Sequence, residues 1–125
     1  MIPAGEQASI DAGAAATIIA AMRVHAGVAD IEHLGCRALG NIAFSLVGQQ
    51  SSVAAGGIEI VIAAMRAHTD NAKVAEAGSF ALYCLAHLPA GKTAITAAGG
   101  RDAITAATRH ASAKENSDSA LALLE

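Results

Sequence analysis

Residues 12–54 and 55–97 are two copies of one 43-residue unit, aligned without a gap. Gly13 pairs with Gly56, Ile19 with Ile62, Met22 with Met65, Arg23 with Arg66, His25 with His68, Gly35 with Gly78, Leu39 with Leu82 and Gly48 with Gly91. Chance composition does not set two Met-Arg pairs at the same offset as two His and three pairs of Gly. A third copy opens at Ala98-Gly99-Gly100, keeps Arg109 where Arg66 predicts it, and then loses the pattern. Pro3-Ala4-Gly5 falls where Pro89-Ala90-Gly91 falls, so the chain opens inside the tail of a unit. The expected organisation is a single repeat domain: a partial unit at 1–11, full units at 12–54 and 55–97, and a partial or capping unit at 98–125. Units of this length cannot bury their apolar faces alone and must stack on one another.

Over half of the 125 residues are apolar, yet the only aromatic side chains of Phe or Tyr are Phe44, Phe80 and Tyr83. Such a core is built from aliphatic residues and Met, on thin, closely packed helices. With 8 basic and 11 acidic residues, nothing draws the chain to a phosphate backbone, and the stacking aromatics of single-strand binders are missing. Nucleic acid is therefore not expected as a partner. Cys36 and Cys84 occupy different repeat positions and read as reduced thiols. The apolar run 12–22 recurs at 55, and residues 1–11 contain no Lys or Arg, so it is a repeat helix and not a signal peptide. No run approaches the roughly 20 apolar residues of a membrane span, and a soluble intracellular setting, in the cytoplasm, is expected.

Within the second unit, Ile58, Val61, Ile62 and Met65 recur at spacings of three and four, predicting an amphipathic helix over 58–67 after the Gly56-Gly57 corner. Asp70 or Asn71 caps a longer helix that continues to about His87, with Val74, Gly78, Ala81, Leu82 and Leu85 as its buried stripe. Pro89 ends it, and a short helix over 91–98 leads to the next Gly-Gly corner. The first unit repeats this with Ile18, Ala21 and Met22, then Ile31, Gly35, Ala38, Leu39 and Ile42. Glycine in mid-helix is costly, so Gly35 and Gly78 suggest a place where two helices touch backbone to backbone. The expected class is all-α.

A short helix, a Gly corner, a medium helix ending in Met-Arg and a long helix carrying Ala38-Leu39-Gly40-Asn41-Ile42-Ala43 together resemble the armadillo repeat. The resemblance implies a right-handed α-solenoid of three-helix units whose third helices line a concave groove for extended segments of partner proteins. HEAT-like two-helix repeats are the alternative. It also implies that Asn41 would bond a ligand backbone; its counterpart is Cys84, and Arg37 and Phe80 stand where the family has Trp. The full Asn-Trp ladder of nuclear-import adaptors is thus absent, which argues against a basic localisation signal as ligand. Independently of family, Arg37, Asn41 and Phe44 share one stripe of the long helix. Phe80, Cys84 and His87 form the matching stripe, with Tyr83 adjacent. A mixed aromatic and polar stripe suits a shallow protein-binding surface, although Phe44 and Phe80 could equally be core fillers.

Gly91-Lys92-Thr93 ends like a phosphate-binding loop but lacks the earlier Gly and the preceding strand. No His pairs with Cys or carboxylate at metal spacing, and His25 and His68 read as solvated helix ends. No activated-nucleophile string is present, and 114–118 reads as a turn before a last helix. Neither catalysis, cofactor nor metal is expected. The expected role is a non-catalytic interaction scaffold, as a fragment or small member of a longer array, binding an extended partner segment through Arg37, Asn41, Phe44, Phe80, Tyr83, Cys84 and His87. The alternative is a structural module that self-associates through exposed end faces, by end stacking or exchange of a terminal helix.

Overall fold

In the computed structural model, the described residues comprise the backbone of 4–125 and the side chains of residue 10 and of 12–125. Pro3, and with it the match to Pro89, lies outside them. Among these residues the chain is all-helical. The helices are α1 (Ala4–Val24), α2 (Ala29–Ile42), α3 (Leu46–Ala54), α4 (Gly57–Ala67), α5 (Ala72–Leu85), α6 (Pro89–Ala97), α7 (Gly100–Ala107) and α8 (Lys114–Leu123), the last entered through a 3-10 turn at Ala111–Ala113. The bounds of α2 and α5, and of α3 and α6, lie 43 positions apart at both ends, as do the starts of α4 and α7.

Local chemistry sets these boundaries. Asn71 Oδ1 accepts from the Val74 N–H at 3.1 Å to cap α5, and Ser45 Oγ accepts from the Gly48 N–H at 3.0 Å to cap α3. Gly56 and Gly99 turn the chain with φ of 88° and 75°, the left-handed region that a Cβ disfavours. α3 and α4 meet there at 71°. Arg66 Nη2 donates to the carbonyls of Ala98 and Gly99 at 3.3 and 3.2 Å, pinning the corner, and Arg23 Nη2 stands beside Gly56, 3.0 Å from where a Cβ would lie.

Several expectations are corrected. No corner forms at Gly13: α1 runs through it as one 21-residue helix, and a Cβ there would meet nothing within 4 Å. A lone glycine costs a helix only about 1 kcal/mol, and no arginine grips it. Helix α5 ends at Leu85, short of His87, and Pro89 opens α6, where its missing N–H is no loss. Residues 114–118 are the first turn of α8, with Lys114 Nζ 2.9 Å from Asp118 Oδ2.

Helix α5 packs between α2 and α8, α4 between α1 and α7, and α3 against α1 and α6. Ile19, Met22, Leu39, Ile58, Ile62, Leu82, Leu85, Ile95 and Ile104 fill the interior without an aromatic ring. Gly35 and Gly78 do not bring backbones together; each makes room for a methionine, whose Cγ would lie 2.5 Å from an added Cβ, Met22 at one and Met65 at the other. The backbone contacts fall instead at Gly48 and Gly91, where a Cβ would overlap the carbonyl oxygens of Ile42 and Leu85. Among the described residues no single helix is long and apolar enough to cross a membrane.

Candidate protein-binding surface

Because α2 and α5 pack side by side, residues of the two stripes come together. Arg37 and Asn41 stand exposed on α2, and Phe44, in the turn beyond it, is 74% exposed. On α5, Phe80 and Tyr83 are half-buried and Cys84 is buried, while His87 lies exposed past the helix end. Phe80 packs against Gly40, where any Cβ would overlap the ring, and its centroid is 6.0 Å from that of Phe44 in a tilted pair.

This ring pair marks where the seven positions divide between two hollows. Arg37 and Phe80 line one of about 590 Å³ with His33, Lys73, Glu76, Ala77 and Asn116. Phe44, Tyr83, Cys84 and His87 line another of about 270 Å³ with Ala43 and Gln49. Asn41 lines neither. In the smaller hollow Gln49 Nε2 donates to the Cys84 carbonyl at 3.3 Å, and the His87 ring stands edge-on to Tyr83 at 4.8 Å, its Nδ1 2.9 Å from the Tyr83 carbonyl oxygen.

The larger hollow is built by repetition. His33 and Glu76 are one repeat position, Arg37 and Phe80 another, Lys73 and Asn116 a third. Sequence reasoning missed His33, Lys73, Glu76 and Asn116. The signal was available: His33 sits four residues before Arg37, and the 43-residue offset carries Lys73 onto Asn116. Among the described residues the ion pairs are Arg109–Asp70 and Lys114–Asp118, so Arg37 and Lys73 present free positive charge beside the Phe80 ring.

Both cysteines are buried. Burial, and then the charge of Glu32, push the Cys36 thiol up to about 12, and burial raises Cys84. Among the described residues no group of three His, Cys, Asp or Glu side chains gathers closely enough for a metal ion. Gly91-Lys92-Thr93 lies within α6, where Thr93 Oγ1 donates to the Pro89 carbonyl at 3.1 Å. The larger hollow offers the cations of Arg37 and Lys73, the Glu76 carboxylate, the Asn116 amide and the Phe80 ring. Comparison with protein-family models, curated proteins and solved structures finds no match.

Proposed function

We propose that this chain is an armadillo-like right-handed α-solenoid that serves as a non-catalytic scaffold and holds an extended protein segment along α2, α5 and α8. Support for three helices per unit, against the two of HEAT-like repeats, comes from α4, α5 and α6 falling within one period. The observation that carries the binding reading is the larger hollow, where unpaired Arg37 and Lys73 flank the half-buried Phe80. A segment that places an Asp or Glu beside the two cations and an apolar side chain on Phe80 satisfies both chemistries.

A displayed random-peptide library selected on the protein should enrich acidic residues next to an aromatic or aliphatic one. The double substitution Arg37→Glu with Lys73→Glu should then weaken a selected peptide at least tenfold, with Lys92→Glu on α6 neutral. Selection of basic peptides, or indifference to the double substitution, would refute this reading.

A second reading, self-association through the end faces, has its own support. All the large apolar side chains left exposed among the described residues, from Ile10 to Val47, belong to the N-terminal part of the chain.

A further inference from the structure

Equivalent positions in the first and second copies differ in burial in a way that maps what covers each copy. Ile18, Ile31 and Ala38 are half-buried and Ala21 is exposed, while their counterparts Val61, Val74, Ala81 and Ala64 are buried. Leu34 is 59% exposed and its counterpart Ala77 is 3% exposed. Among the described residues the second copy has helices packed on both sides and the first on its C-terminal side only. Positions buried in the second copy and open in the first are therefore those that a preceding helical layer covers. They are the five above with Ala14, Asn41 and Ile42, and they form one face on α1 and α2 that carries no charged side chain and one polar one, Asn41.

The opposite end is different. Ser79 reaches Ser117 in the next layer, Met65 and Ala75 border Ala103 and Ala107, and Ile62 approaches Gly100, so these positions face the C-terminal neighbour. Their counterparts on the last layer are Ala122, Thr108, Asp118 and Thr105. Asp118 is ion-paired to Lys114, and the hydroxyls of Thr105 and Thr108 donate to the carbonyls of Arg101 and Thr105. Three of these four positions on the last described layer are polar, whereas the face on α1 and α2 is apolar but for Asn41.

We propose that two copies of this chain associate head to head, each covering the Ile18, Ala21, Ile31, Leu34 and Ala38 face of the other in a closed two-fold dimer. The proposal rests on the self-association reading and is independent of the groove. Head-to-tail stacking would press Leu34 and Ile31 onto Asp118 and two threonines, desolvating polar groups without new partners. Head-to-head contact sets apolar against apolar, with Leu34, Ile18 and Ile31 as knobs and Ala21 and Ala38 as hollows. A self-complementary patch closes at two subunits, whereas a head-to-tail contact propagates.

Sedimentation equilibrium from about 1 μM to 1 mM tests this. The wild type should follow a monomer–dimer equilibrium and stop at the dimer. Leu34→Glu should raise the dimer Kd at least tenfold with unchanged helical circular dichroism, Ala21→Glu on the other helix should do the same, and Ala122→Glu should have no effect. A monomer at every concentration would overturn both the proposal and self-association. Growth beyond the dimer, or disruption by Ala122→Glu and not by Leu34→Glu or Ala21→Glu, would overturn the head-to-head geometry and leave self-association standing.

Discussion

Glu32 is 1% exposed, and its Oε1 has no hydrogen-bond partner, where the second copy has Ala75. Burial raises its pKa above the ordinary 4.5, with the nearby charges of His68 and His25 opposing the shift only in part. With the folded pKa above the unfolded one, the native state holds the proton longer. Stability is undiminished below pH 4.5 and falls as pH rises through the raised folded value. Glu32→Gln should stabilise the protein by about 1–3 kcal/mol at pH 7, with the gain vanishing in acid, as denaturant unfolding across pH would record. Glycines divide the same way by surroundings. Gly91→Ala, whose Cβ would overlap the Leu85 carbonyl, should cost about 3 kcal/mol, whereas Gly13→Ala, in open space, should gain about 1 kcal/mol. Thermal melts of the two variants should move in opposite directions.

Between elements, successive layers are joined by polar side chains at repeated places. His68 Nε2 lies 2.8 Å from the Ala26 carbonyl oxygen, and His110 Nε2 lies 2.8 Å from that of Thr69, acceptors 43 positions apart. His68 is therefore a half-buried link between layers and not a solvated helix end. Helix α5 meets α8 through Ser79 and Ser117, whose buried hydroxyls are 2.9 Å apart; the equivalent positions on α2 and α5 carry buried Cys36 and Val74. Ser79→Ala should cost about 1–3 kcal/mol because it strands the Ser117 hydroxyl. Adding Ser117→Val, which restores the residue at the equivalent Val74 position, should recover part of that loss. A double-mutant cycle in urea measures the coupling, and strict additivity would show that the pair does not act as a unit.

For the whole molecule, the decisive property is the difference between its two ends. The proposed dimer would cover exposed Leu34 and half-buried Ile31 by mass action as concentration rises. The unfolding midpoint of the wild type should therefore climb with protein concentration, while that of Leu34→Glu should stay constant. Scanning calorimetry over a hundredfold range of concentration provides the comparison.

Read alone, the sequence determined what depends on near neighbours in the chain. Helical spacing predicted the buried stripe of Ile58, Val61, Ile62 and Met65, side-chain chemistry narrowed the cap of α5 to Asp70 or Asn71, and paired glycines predicted the turns at 56 and 99. These follow from φ preferences, capping and a period of three to four residues, all local. The tertiary structure decided what depends on a neighbour distant in sequence. It carried α1 through Gly13, laid Met22 and Met65 over Gly35 and Gly78, and divided six of the seven stripe residues between two hollows at the Phe44–Phe80 contact, leaving Asn41 in neither. It also set Cys84 inside and its counterpart Asn41 outside, because only one of the two copies has a layer packed on that side. A repeat specifies each unit's own helices; what each side chain then faces is settled by the unit beside it.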